Sequence, residues 1–228
     1  MECRKCYLDL VLIPLSLLLH ISYHIWLWYQ VRYRPLSIAI GIHSSARRLW
    51  VLSVLKENEK KNVLAVQTFR NAIMGATLMA STCVVLCSGL AALVTTVERS
   101  PLAPSTTLQY VSVLLAFLFA FICFSLSVKL INQVCFLINT PTMDSEFTCD
   151  VLKKAYMFQL LGSRVFYAAL TLLLWIFGPV FVFSASVAVV CVLLSVDVVD
   201  EGRRRRKDGS DQLKMEEEKG HDEKGSVV

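Results

Sequence analysis

The sequence lacks charged residues over four long stretches, which excludes an ordinary soluble fold. No Asp, Glu, Lys or Arg occurs in residues 10–31, 73–97, 108–128 or 166–194. Each stretch approaches or exceeds the ~20 residues that carry a helix across a bilayer core of about 30 Å. The chain is 55% hydrophobic with a mean hydropathy of +0.57, above the roughly 45–50% apolar share of soluble proteins. An all-α integral membrane protein with about four transmembrane helices is therefore predicted.

The sequence also lacks the short motifs of several large enzyme classes. It has no P-loop, Rossmann glycine pattern, nucleophile elbow or HExxH sequence. Half of its eight cysteines lie inside the apolar stretches, where free cysteine behaves as a small hydrophobe. These are Cys83, Cys87, Cys123 and Cys191. We therefore expect a non-enzymatic protein and predict no cofactor.

Polar segments divide the chain into a membrane domain, residues 7–197, and a charged tail, residues 198–228. Within the domain, segment 44–72 has apolar clusters on both sides of KENEKK, which is typical of an amphipathic helical loop. We expect this loop to lie at the membrane interface, with Trp50 and Phe69 reaching into the lipid. A solvated helical linker is the alternative. The tail has few apolar residues and dense mixed charge, so it is expected to be disordered.

The last apolar stretch continues to Val196 and, as one straight helix, would be about 46 Å long. Gly178 and Pro179 near its middle predict a helix kink, because proline removes one backbone hydrogen bond. Four crossings would put the two basic loops on one side and the basic run of the tail on the other, against the positive-inside rule. Two crossings joined at Gly178 and Pro179 would remove the conflict, but the turn would be tight. We expect four crossings and leave the orientation open.

Two histidines in the first apolar stretch are weak candidates for a metal site. His20 and His24 are four residues apart, so their rings project from one helical face. Histidines at this spacing can ligate a metal, and ionisable groups inside a bilayer often have a function. No third ligand is evident. Polar contacts with neighbouring helices are the favoured interpretation, and no metal site is predicted.

Polar residues follow the third apolar stretch on one side of the same helix: Lys129, Asn132 and Gln133. They can emerge into water, with Lys129 extending to the headgroups. They can form interhelical hydrogen bonds, or they can line a transport cavity. Arg164, just before the last stretch, is a candidate partner for a lipid phosphate.

A run of five basic residues follows the last apolar stretch and is expected to attract anionic lipid headgroups, at about 1 kcal/mol per residue. These residues are Arg203, Arg204, Arg205, Arg206 and Lys207. The expected partners are the lipid bilayer, its anionic headgroups, and protein partners or a second copy in a homo-oligomer. Nucleic acid is not expected, because the basic clusters adjoin membrane segments. The plasma membrane and the endomembranes stay open as locations.

Several long motifs occur in order along the chain, among them YHIWLWYQVRYRP at 23–35, ENEKKNVLAVQTFRNAIMGATLMA at 57–80, SLSVKLINQVCFLINTP at 125–141 and GSRVFYAALTLLLWIFGPVFVF at 162–183. With these motifs the sequence resembles a family of plant membrane proteins known as domain-of-unknown-function 599. The likeness covers roughly residues 7–197. It implies a multi-span plant membrane protein and assigns no activity.

Three functions follow as hypotheses. The favoured one is a non-enzymatic scaffold or regulatory interaction protein, based on small residues at helical spacing in the second apolar stretch, the amphipathic loop and the charged tail. The second is a small oligomeric channel or transporter subunit that uses the polar stripe and the break at Gly178 and Pro179. The third is a membrane protein whose metal or redox chemistry depends on histidine.

Overall fold

The fold is known from a computed structural model, which describes residues 2–33, 38–56, 60–97, 104–140 and 144–198. Helices dominate these residues, and a short 3-10 helix, Leu174–Ile176, separates the last two α-helices. The α-helices are α1 (Glu2–Tyr33), α2 (Ala39–Lys56), α3 (Lys60–Val97), α4 (Pro104–Ile138), α5 (Ser145–Leu173) and α6 (Pro179–Asp197). The all-α prediction is confirmed.

Five helices in the described chain are long and apolar enough to cross a membrane. Their candidate spans are Leu10–Tyr33, Val63–Thr95, Gln109–Ile138, Ser145–Ile176 and Pro179–Asp197. The protein therefore has the architecture of a multi-pass membrane protein, with one span more than the expected four.

The extra span arises because the last apolar stretch turns back at Gly178 and Pro179. Gly178 has a φ of 138°, a conformation that residues with a Cβ rarely adopt. Pro179 is the first residue of α6, where its missing N–H is not needed within the helix and its fixed φ suits a helix start. The expected kink is thus a complete turn between two antiparallel helices.

The helices pack in a chain of neighbours. α3 packs along α4, α4 along α5, and α1 along α6, with smaller contacts between α5 and α6. α4 and α5 approach closely at Gly162, where an added Cβ would lie 3.2 Å from Cys123 Cβ. α1 and α6 end on the same side of the molecule, since Ile38 just after α1 pairs with Val198 just after α6.

Two of the hydrophobic clusters lie at different heights along α3, α4 and α5. One belongs to a region that we call the membrane half: residues 10–27 of α1, 74–97 of α3, 104–128 of α4, 157–173 of α5 with the 3-10 helix that follows, and α6. The other belongs to a region that we call the helical platform: α2 with residues 60–73, 129–138 and 145–156. The membrane-half cluster includes Phe117, Phe124 and Phe166. The platform cluster includes Val51, Phe69 and Ile131.

The helix lengths fit a bilayer that surrounds the membrane half. α6 has 19 residues, or about 28 Å, which matches a hydrocarbon core of about 30 Å. The candidate spans in α3, α4 and α5 have 33, 30 and 32 residues, so each is longer than the bilayer requires by roughly ten residues, or about 15 Å. This excess length lies on one side and forms the platform with α2.

Surface chemistry agrees with this placement. In the membrane half, residues 74–95, 109–128 and 179–196 contain no Asp, Glu, Lys or Arg, and large exposed side chains there are apolar. The platform exposes charged side chains on all four of its helices, beside apolar ones such as Leu49 and Phe136. These include Arg48, Lys56, Arg70, Lys129, Glu146, Asp150, Lys153 and Lys154.

The segment expected to be an interfacial loop, residues 44–72, forms most of α2 and the first turns of α3. Phe69 is only 1% exposed and packs edge to face against Trp50, with ring centroids 5.6 Å apart. The expectation that Phe69 reaches into lipid is therefore wrong, because its ring fills the platform core. The tail, from residue 199 onward, lies outside the described residues.

Candidate functional site

A buried ion pair joins α5 and α6, the two antiparallel helices that form a hairpin around Gly178. Arg164 Nη2 on α5 donates to both carboxylate oxygens of Asp197, at the end of α6, with both distances 2.6 Å. The side chains are 11% and 4% exposed. The pair lies roughly 14 residues along α5 from the turn at Gly178, about 21 Å at the helical rise. It is therefore near the platform edge of the membrane half.

The Tyr23 hydroxyl of α1 completes this arrangement. It donates a hydrogen bond to Asp197 Oδ2, and it accepts one from Arg164 Nη1 at 3.5 Å. The Asp197 carboxylate on α6 thus accepts hydrogen bonds from side chains of two other helices, α1 and α5. A buried carboxylate needs such partners, because an unpaired charge in a low-dielectric region is strongly destabilising.

This ion pair fixes how the hairpin meets α1. Either Arg164 or Asp197 alone in a bilayer would be an uncompensated charge. Together they satisfy each other and hold three helices at one height. We call Tyr23, Arg164 and Asp197 the polar triad.

The two histidines lie on α1, beside the polar triad. His20 is buried, and its Nε2 is 3.4 Å from Thr171 Oγ1 on α5. Its Nδ1 has no hydrogen-bond partner among the described residues. The His24 ring lies 5.2 Å from the Tyr23 ring, centroid to centroid.

The described part of the chain contains no group of three or more His, Cys, Asp or Glu side chains placed to hold a metal ion. The contact of His20 with Thr171 is a polar contact between helices, the interpretation that the sequence favours over a metal site. The third hypothesis, metal or redox chemistry that depends on His20 and His24, stays a hypothesis.

The other sequence candidates are separated from the polar triad. Lys129, Asn132 and Gln133 are exposed on the outward side of α4, without a hydrogen-bond or ion-pair partner among the described residues. A transport path lined by them would have to lie between copies of the chain. Gly178 and Pro179 form the turn at the opposite end of the hairpin. The basic run Arg203 to Lys207 falls outside the described residues.

Sequence reasoning missed the role of Asp197 and gave Arg164 a different partner. Arg164 contacts Asp197 and Tyr23 instead of the expected lipid phosphate. A signal was present, since Arg164 and Asp197 have opposite charges at the two ends of an apolar stretch with a Gly-Pro pair between them. A turn at that Gly-Pro pair brings both ends to the same height.

These features define a class: a helical multi-pass membrane protein with a buried interhelical ion pair. A family model described as "Protein of unknown function, DUF599" matches residues 11–201. The chain belongs to this family. Comparisons with curated proteins and with solved structures found no match.

Proposed function

We propose that the protein is a non-enzymatic membrane scaffold or regulatory protein that binds protein partners through its helical platform. The carrying observation is the size of the platform: α3, α4 and α5 each extend roughly ten residues past the bilayer, about 15 Å. Together with α2 they enclose a separate hydrophobic cluster. Such an extension is not needed to cross the membrane, and it offers a surface to which protein partners would bind.

Charge supports a cytosolic position for the platform. With five crossings, segment 28–73, segment 129–156 and the basic run 203–207 share one side, with eight, three and five Lys or Arg residues. The other side has Arg4, Lys5 and Arg99. The positive-inside rule assigns the first side to the cytosol. The charge conflict of a four-span arrangement is absent from this orientation.

Anionic lipid is the expected second partner of the platform side. Basic residues close to the cytosolic leaflet attract its negative surface, and the platform exposes Arg48, Arg70, Lys129 and Lys154. Attraction of this kind weakens as salt is added, because the Debye length is about 8 Å at physiological ionic strength.

Site-specific photocrosslinking in native membranes tests the scaffold function. A photoreactive residue replaces Leu49 on the platform or, as the matched control, Leu78 in the membrane half, since both side chains are 69% exposed. We expect discrete protein adducts from position 49 and lipid adducts from position 78. Equal protein adducts from both positions, or none from position 49, would contradict the proposal.

An oligomeric channel or transporter subunit is the second candidate, and the polar stripe that Lys129, Asn132 and Gln133 expose on α4 supports it, because copies of the chain packed on that face would enclose a polar path. Its test is flux through proteoliposomes that contain the purified protein. Lys129→Ala and Gln133→Ala should abolish flux under this function and leave the crosslinks from position 49 intact. Lys154→Ala, at an exposed position on α5, serves as the control.

A further inference from the structure

A polar cleft of about 270 Å³ separates α2 from the first turns of α5, on the platform. Among its lining residues are the basic side chains Arg47, Arg48 and Lys153 and the acidic side chains Glu146 and Asp150. The cleft is apart from the polar triad and is formed by two helices that contact each other outside the membrane half. Its size suits a small ligand, since pockets for drug-sized molecules begin at about 300 Å³.

Arg47 is a positioned cation without an anionic partner among the described residues. Its guanidinium stacks over the Tyr156 ring, 4.1 Å from the centroid, so its plane is held by a cation–π contact. Within the described chain it has no hydrogen bond or ion pair to a carboxylate. Burial lowers the pKa of Arg47 below its ordinary value, but arginine stays charged at neutral pH. A half-buried charge of this kind is stabilised when an anion enters.

The remaining charges of the cleft leave an excess of positive charge. Arg48 already pairs with Glu146, Nη2 to Oε1 at 2.6 Å, and this hydrogen bond raises the pKa of Arg48. Among the described residues that line the cleft, Arg47 and Lys153 are then offset by one further carboxylate, Asp150, so the cleft retains a net charge of about +1. The N-terminus of α5 beside the cleft is already capped by the Asp144 side chain, which accepts a hydrogen bond from the Glu146 N–H, so the positive charge open to an anion comes from the basic side chains.

We propose that this cleft binds a phosphate group, with Arg47 as the principal cation and with Lys153 and the Ser44 hydroxyl as further donors. The planar guanidinium matches phosphate oxygens with two parallel hydrogen bonds. Two sources share this chemistry, a phosphorylated lipid headgroup and a soluble phosphate compound. The site goes beyond the scaffold function, because it would exist equally in a transporter.

The test titrates inorganic phosphate into the full-length protein in phosphatidylcholine nanodiscs and follows the rise in unfolding temperature, with chloride of matched ionic strength as reference. Phosphate should stabilise the protein more than chloride does, as any ligand of the native state must. Arg47→Gln should weaken this effect by about tenfold in phosphate concentration, as expected when a charge-assisted hydrogen bond is lost. An equal response to phosphate and chloride would overturn the proposal.

Two variant pairs keep the test valid if Arg47→Gln fails to fold. Lys153→Gln should weaken the phosphate effect, whereas Lys154→Gln, at the exposed neighbouring position that does not line the cleft, should not. Glu146→Gln should strengthen it, because the variant removes a competing carboxylate and frees Arg48. Identical effects in the two lysine variants together with no gain in Glu146→Gln would mean that phosphate binds elsewhere.

The source is identified by a parallel arm with nanodiscs that contain a phosphatidylinositol phosphate. Retention of that lipid by the wild type and its loss in Arg47→Gln, detected by mass spectrometry, would support the cleft with a lipid headgroup as ligand. Phosphate-dependent stabilisation without lipid retention would support it with a soluble ligand. If neither arm responds to Arg47→Gln or Lys153→Gln, the cleft does not bind phosphate.

Discussion

Two ion pairs in this protein have the same separation of 2.6 Å and very different surroundings. Arg164 and Asp197 in the membrane half are 11% and 4% exposed, whereas Arg48 and Glu146 on the platform are 57% and 60% exposed. The first pair is held by a third side chain, Tyr23. The second is open to water, which screens it and competes for its hydrogen bonds. Equal distance therefore does not mean equal importance for stability.

The wider regions differ in the same way. The membrane half depends on a few polar contacts and on close helix approach at small residues, because lipid gives helices no hydrophobic reason to associate. The platform depends on burying Phe69 and its neighbours away from water. Damage to one region should therefore act through a different mechanism from damage to the other.

The largest expected effect breaks the buried ion pair. Asp197→Asn removes the negative charge at nearly constant size and leaves Arg164 uncompensated, so we expect the free energy of unfolding to fall by about 3–5 kcal/mol. Denaturant titration in detergent micelles measures it. Glu146→Gln, the matching change in the exposed pair, should leave the value unchanged. A similar loss in both variants would remove the distinction between the two pairs.

A double variant sharpens this result. Arg164→Met with Asp197→Leu replaces both charges by apolar groups of similar size and should recover most of the stability, because neither charge is left unpaired. If the double variant is as unstable as Asp197→Asn, the pair has a role that burial and charge compensation do not explain.

A comparable but local effect is expected in the platform. Phe69→Ala empties the centre of its core and should destabilise that region by about 3–5 kcal/mol. Hydrogen exchange should show faster exchange of α2 amides and unchanged exchange in α6. Phe136→Ala, at a side chain that is 77% exposed on α4, is the control. Faster exchange in α6 as well would mean that the two regions unfold together.

A smaller effect tests the close approach of α4 and α5. Gly162→Val would press against Cys123 and Phe124, both about 3.2 Å from the added Cβ, and overpacking of this kind costs about 1–3 kcal/mol. Gly75→Val, on α3, has no atom within 4 Å of the new Cβ and should be tolerated. The unfolding temperature in detergent compares the two variants, and equal shifts would contradict the close packing.

Hydropathy was enough to predict a helical multi-span membrane protein, because lipid requires long uncharged helices. It could not resolve the turn at Gly178 and Pro179. The residues on both sides of that turn are apolar, so the sequence WIFGPVFVF has no polar loop to mark it. The difference between a kink and a turn depends on the backbone of Gly178, which composition does not reveal.

The polar triad was harder to predict, because its members are distant in sequence. Tyr23 and Asp197 are 174 positions apart, and their contact depends on α6 returning beside α1. The platform core has a similar explanation. The apolar faces around Trp50 and Phe69 were recognised, but periodicity does not say whether lipid or protein covers such a face.

The central claim, five crossings with the platform and the basic tail on one side, is tested most directly by sidedness in sealed vesicles. Reporter tags placed in the Lys56 to Lys61 loop, at the N-terminus and at the C-terminus are probed by protease access or glycosylation. We expect the loop and the C-terminus on the cytosolic side and the N-terminus on the opposite side. Loop and C-terminus on opposite sides would mean an even number of crossings and would contradict the hairpin at Gly178.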